Sequence, residues 1–339
     1  MVIKMVKIPA AKKPKKIAPT KKEALVPTYR KRVKGRSGLT VGHVGEQTCG
    51  KSIAALQYGY LNLEFESELE SAGYGDIVLA LKDKYIPEVK TITRINSEWD
   101  EEQLDRPVES SLVGMLMEEP RYKEIKIDLP TKDVLLTLEG LADDVENFAF
   151  IDTTFNSYMN TIEDVAARKD PNELLIVDSM SLFKGLIDLK NDVIWSLESR
   201  GKTDERLKGM RGQKWTRRNQ WNRKALLLLR SIKGWTVSTF REIKNSAWTQ
   251  SQFGSDPTSI QWTEDTGFQY DMMYQFNKDI FDNSLSLAAM PEYCRYIYRG
   301  AEAEKYNRFQ IEHGSRLGIF PAIQGVLKRM QEDEAKVHW

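Results

Sequence analysis

The chain has 339 residues, enough for one large or two modest domains around a proper core. Its 41% hydrophobic and 29% charged residues are ordinary for a globular protein, and no apolar run approaches membrane-spanning length; the longest, 225–229, ends at Arg230. Two cysteines exclude a disulfide framework, and three scattered histidines offer no zinc spacing. A basic start without an apolar core argues against secretion, so a reducing cytoplasm (the host's, if the protein is viral) and no membrane contact are expected.

The formal charge of +1 conceals an asymmetry. Residues 1–36 hold 13 Lys and Arg against the single acid Glu23, while the rest of the chain carries 37 bases and 48 acids. The first 36 residues are therefore expected to be a basic, disordered arm, either a solubilising tail or a tether for nucleic acid.

The stretch Gly45-Glu46-Gln47-Thr48-Cys49-Gly50-Lys51-Ser52 fits the phosphate-loop pattern G-x-x-x-x-G-K-[ST] at every fixed position. Residues 38–44 before it read as a strand and 52–58 after it as a helix, the context such a loop requires. Gly45, Glu46, Gln47, Thr48, Cys49, Gly50, Lys51 and Ser52 are thus expected to cradle a nucleotide. Backbone amides take the phosphates, Lys51 neutralises them, and Ser52 ligates Mg²⁺. The expected cofactors are ATP and Mg²⁺. Cys49, beside a helix start, is expected to have a lowered pKa.

Residues 61–147 hold 22 Asp and Glu against 9 Lys and Arg and read as an acidic insertion or subdomain, with strand-like pieces at 76–81 and 124–129. Residues 147–152 read as an apolar strand ending in Asp152, followed by a helix over 157–168. Four aliphatics ending in Asp178, at 174–178, read as a buried parallel strand, whose carboxylate falls at the sheet edge where ligands bind. Asp178 is the expected partner of Ser52 on the metal. Ten bases between Arg200 and Lys224 interleave with tryptophans. Arg211, Lys214, Trp215, Arg217, Arg218 and Trp221 are candidates for tracking and stacking a single strand, the alternative being a solvated helix face over core tryptophans. Strands are further expected at 235–240, 272–276, 293–298 and 308–312, and a helix closes the chain over 321–339. Alternating strands and helices behind a phosphate loop indicate an α/β fold with a mostly parallel sheet covered by helices on both faces. Residues 37–320 are expected to form that single domain.

The string 175–179, Leu-Ile-Val-Asp-Ser, resembles the Walker B strand of the RecA-like ATPases, and 235–241 resembles their strand leading to a DNA-binding loop. Small phage recombination ATPases of that kind share features with 267–274. The resemblance implies an ATP-hydrolysing protein acting on single-stranded DNA in recombination, repair or replication, as a homo-oligomeric ring or filament. It also implies a catalytic glutamate at the end of the strand preceding Walker B. On 147–152 that position falls at Thr154, so Asp152 is the nearest acid, joining Lys51 and Asp178 as the expected catalytic set. A base from a neighbouring subunit is implied as well, with Arg241, Arg299 and Arg316 as candidates. The alternatives are a viral packaging or helicase motor, against which the absence of an Asp-Glu pair at 178–179 argues, and a nucleotide-gated loading protein with little turnover.

Overall fold

The computed structural model describes residues 37–46, 49–97, 118–127, 145–244, 258–260, 266–279, 284–311 and 315–337. The basic arm, Gln47 and Thr48 lie outside the described residues. Nine strands form one sheet: β1 (Thr40–Gly45), β2 (Thr91–Asn96), β3 (Tyr122–Lys126), β4 (Glu173–Asp178), β5 (Trp235–Lys244), β6 (Thr258–Ile260), β7 (Met272–Lys278), β8 (Leu285–Ala289) and β9 (Arg308–Ile311). Their order is β3-β2-β4-β5-β1-β7-β8-β9, with β6 pairing β5. The run from β3 to β7 is parallel, and β6, β8 and β9 add antiparallel pairs.

The helices are α1 (Lys51–Gln57), α2 (Glu66–Ser71), α3 (Gly75–Lys82), α4 (Val145–Arg168), α5 (Met180–Ser199), α6 (Asp204–Ser231), α7 (Ala303–Asn307) and α8 (Phe320–Val337). Alternation along the strands divides the core in two. Val41, Ile92, Leu174, Ile176, Val237 and Tyr274 pack under α1, α3 and α8. Val44, Ile95, Leu175, Val177, Phe240 and Met273 pack under α4, α5 and α6. Helices therefore cover both faces, as the sequence pattern implies.

Four expectations change. Residues 76–81 lie in α3, because burial selects Ile77, Val78 and Leu81 at helical spacing and leaves Leu79 60% exposed. Residues 147–152 belong to α4: the buried set Ile151, Phe155, Tyr158, Met159 and Ile162 follows a period near 3.6, and Phe150 faces out. Residues 293–298 are turn and short 3₁₀ structure after Pro291 rather than a strand. The described part of 61–147 is woven into the sheet through β2 and β3, with Leu61, Leu69, Ile77 and Ile92 in the main core, so it is not a separate insertion. Among the described residues no helix is long and apolar enough to cross a membrane.

Candidate nucleotide site

Because the central strands are parallel, their carboxyl ends converge on one edge. Gly45 of β1 stands opposite Arg241 of β5, and Asn96 of β2 opposite Asp178 of β4. The phosphate-loop sequence therefore leaves the sheet from its central strand, within the row that ends in Asp178.

Two glycines shape the loop. A Cβ on Gly45 would stand 2.6 Å from both Cys49 Sγ and the Phe276 carbonyl oxygen, so the backbone turns there only without a side chain. Gly50 adopts φ 82°, the left-handed conformation that disfavours other residues, and caps α1. Lys51 follows as the first helical residue and is 5% exposed. Its ammonium donates to the carbonyl oxygens of Gly45 at 3.0 Å and Glu46 at 2.5 Å. Both glycines let the backbone turn where a Cβ would crowd its neighbours, and a buried cation lies against the loop's carbonyl oxygens. Those features fit a phosphate group. Ser52 lies half-buried in the same turn.

Cys49 departs from expectation. It is buried, with Lys51 Nζ 3.4 Å from its sulfur, and burial pushes the thiol up, outweighing the nearby ammonium. A neutral, sheltered thiol is a poor nucleophile.

Asp178 is wholly buried. Thr239 Oγ1 donates to one carboxylate oxygen at 2.6 Å, and Arg94 Nη2 donates to the other at 2.5 Å. Arg94 comes from the middle of β2 and is 3% exposed. The next turn of chain is fastened to the same point. Ser97 donates to the Asp178 carbonyl oxygen from its amide (2.7 Å) and hydroxyl (3.0 Å), and that hydroxyl accepts from the Ser179 amide (3.0 Å) and Tyr158 (2.5 Å). The residues leaving β2 are thus held against the end of β4. Their sequence gave no sign of it, since Thr91-Ile92-Thr93-Arg94-Ile95-Asn96 is too polar to read as a core strand. Its polar members face partners instead: Thr93 donates to Glu173, Arg94 to Asp178 and Asn96 to Glu124.

His43 lies in β1 beneath the loop, fully buried, its ring 4.7 Å from that of Phe276. Nδ1 lies 3.3 Å from the Lys51 carbonyl oxygen, so it carries the proton. Burial lowers its pKa from 6.5 to about 4, with the Lys51 charge adding in the same direction; the Lys51 carbonyl and Asp178 oppose. The unfolded chain takes up this proton near pH 6.5 and the folded chain only near 4, so stability is lost as pH falls through that window. The shift corresponds to about 3 kcal/mol, of which roughly 2 is lost by about pH 5. Urea unfolding between pH 7 and about 5 is expected to show that slope, and His43→Gln to flatten it. An unchanged slope in the variant would place the titration elsewhere.

Other expected residues disperse. Asp152 does not end a strand; it sits early in α4, ion-paired to Lys190 at 2.6 Å, with Lys190 also over the Phe155 ring at 3.8 Å. Thr154 is buried in the same helix. Along α6, Lys214 pairs with Asp192 at 2.6 Å, Arg217 with Glu198 at 2.7 Å and Arg218 with Asp188 at 3.6 Å, tying α6 to α5. Trp221 packs on Phe155. Arg211 is exposed, as is Trp215 at 57%, with Arg218 stacked 4.4 Å over its ring. Of the three bases considered for a neighbouring site, Arg241 lies at its own chain's sheet edge, its amide donating to Ser181 Oγ at 2.9 Å. Arg316 faces Glu68 at 4.0 Å, beside Ser315, which accepts from Gln57 at the far end of α1. Arg299 is exposed in a turn.

Among solved structures the chain is similar to the RadB recombinase, at 13% identity over 84% of this chain and 90% of that one, with a TM-score of 0.39. It is also similar to a KaiC-like protein from the hyperthermophilic archaeon Pyrococcus horikoshii OT3, at 12% identity over 84% and 89%, with a TM-score of 0.35. No family model and no curated protein matches the sequence. At that distance the two likenesses carry no argument about the site, whose case rests on its own geometry.

Proposed function

We propose that the chain is a Mg²⁺-dependent ATPase of the RecA-like kind that acts on single-stranded DNA. The observation that carries the ATPase reading is a single arrangement: a left-handed Gly50 presenting buried Lys51 over a glycine cradle, on the sheet edge that also ends in buried Asp178. An entering phosphate exchanges the lysine's bonds to neutral carbonyl oxygens for bonds to oxygens that carry negative charge. Ser52 and Asp178 would hold the metal, which would supply charge neutralisation between phosphate oxygens.

Hydrolysis further needs a residue that orients water. The resemblance implies a glutamate at the end of the strand preceding Walker B; 147–152 is helical, and the strand that lies beside β4 in the sheet is β2. The position therefore transfers from Thr154 to the residues directly after Asn96. Glu98 is the first acid there in sequence and lies outside the described residues.

The nucleic-acid reading is supported by the charge of the arm and by the exposed Arg211 and Trp215, with the half-buried Arg218 stacked on the Trp215 ring, spaced at i, i+4 and i+7 on α6. Assembly into a ring or filament, with a base such as Arg299 reaching a neighbour's nucleotide, belongs to the same proposal. The test is the ATPase rate with no polymer, single-stranded DNA, duplex DNA and RNA. Stimulation by single-stranded DNA, lost in Arg211→Ala/Trp215→Ala and steeply salt-dependent, is expected. Equal rates in all four conditions would remove the DNA reading and leave the ATPase. Tight ATP binding without turnover would select a nucleotide-gated loading protein.

A further inference from the structure

Arg94 has no place in the phosphate-loop pattern, yet it is the most deeply placed cation at the site. It is 3% exposed, reaches Asp178 Oδ2 at 2.5 Å, and comes from a strand whose other polar residues serve side contacts. Ile92 and Ile176 pack in the same half of the core as the α1 residues Ala54, Ala55 and Leu56. Alternation puts Arg94 and Asp178 on that face as well. A guanidinium stays protonated under all physiological conditions, so this charge is permanent. Burying an ion pair brings little net stability over apolar residues of the same size, and removing one partner leaves an uncompensated charge. Such a pair at the ligand-binding edge of a parallel sheet calls for another reason.

We infer that Arg94 is a resident counter-cation of the nucleotide site: it offsets and orients the Asp178 carboxylate without metal, and so loosens the dependence of nucleotide binding on Mg²⁺. The inference rests on the ATPase reading above. With Thr239 on Oδ1 and Arg94 on Oδ2, each carboxylate oxygen already has a protein donor. Asp178 therefore presents a fixed, partly neutralised acceptor to a hydrated Mg²⁺ ion, which gives up its waters reluctantly. Without metal, Arg94 offsets the negative charge of Asp178, so buried Lys51 is left free to meet a polyphosphate. Removing Arg94 reverses the balance, leaving a bare carboxylate that repels phosphate until Mg²⁺ covers it.

Arg94 is thus a positioning residue, and its signature is a ratio of affinities rather than a rate. Binding of a fluorescent ATP analogue is measured in excess Mg²⁺ and in excess chelator, and the two dissociation constants are compared. In the wild-type chain chelation is expected to weaken binding by about tenfold or less, and a larger loss overturns the inference. In Arg94→Met the ratio is expected to rise at least about tenfold, mainly through poorer metal-free binding. Arg94→Gln keeps a hydrogen-bond donor and loses the charge, so it gives the same result should the methionine variant not fold. Arg94→Lys, which keeps the charge, is expected to stay within roughly threefold of wild type. Ratios in the Met or Gln variants within about twofold of wild type overturn the inference. No binding by the wild-type chain even with Mg²⁺ is a different outcome: it removes the ATPase reading itself.

Discussion

Lys51→Ala is expected to lower ATP affinity about a hundredfold or more and to abolish phosphate release, while the chain keeps its fold. Lys51 is 5% exposed, and among the described residues its ammonium bonds to the loop itself: two carbonyl oxygens and the Cys49 sulfur. Those contacts hold a cation over the glycine cradle without tying it to the rest of the core. Loss of the side chain therefore removes ligand binding before it removes stability. A charge-assisted hydrogen bond to phosphate contributes about 1.5–3 kcal/mol, which is a factor of ten to more than a hundred in affinity. Lys51→Arg is expected to fail as well, because a planar, forked guanidinium does not fit where Cys49 and Gly45 crowd the loop. The checks are binding of a fluorescent ATP analogue, phosphate release, and a thermal melt on the same sample. Affinity retained within about threefold in a folded Lys51→Ala chain would remove Gly45–Ser52 as the nucleotide cradle.

How much of this site could be read in the sequence depended on whether chemistry and local pattern agreed. β1, the loop and α1 agree at every level: a β-branched strand, glycines where a Cβ would collide, and a helix start at Lys51. β4 agrees too, because Leu174, Leu175, Ile176 and Val177 are all fully buried between helical layers. β2 does not agree. Its Thr93, Arg94 and Asn96 are buried and hydrogen-bonded, so an internal strand of the parallel sheet lacks the apolar pattern that would mark it. The apolar run at 147–152 offered a substitute, and only its continuation into Phe155, Tyr158 and Ile162 at helical spacing betrays α4. Reading 147–152 as a strand is also what put the implied glutamate position at Thr154, which lies within α4. Local pattern failed where polar residues are set into the core for a purpose, which is where functional sites break such rules. On α6 the failure runs the other way. A basic, Trp-bearing stretch reads as one nucleic-acid surface, whereas Asp188, Asp192 and Glu198 of α5 pair three of its bases, Lys214, Arg217 and Arg218.

The competing assignments for water activation separate cleanly in a pair of variants. Glu98→Gln is expected to cut ATP hydrolysis about a hundredfold or more while leaving ATP affinity within about threefold, the range lost when a positioned acid–base group is removed. The expectation follows from the strand order. β2 lies directly beside β4, Asn96 is opposite Asp178, Ser97 is bonded to both Asp178 and Ser179, and Glu98 is the next residue in sequence. Asp152→Asn is expected to leave turnover within about twofold. Its carboxylate belongs to an ion pair with Lys190 on the helical layer formed by α4, α5 and α6, and it is 39% exposed, so its loss costs at most about 1 kcal/mol of stability. Loss of turnover in Asp152→Asn with Glu98→Gln unaffected would overturn the placement after β2. Full activity in both would leave the site without an acidic base from either segment. A turnover defect confined to Glu98→Gln, with nucleotide still bound, is the outcome that supports the proposed placement after β2.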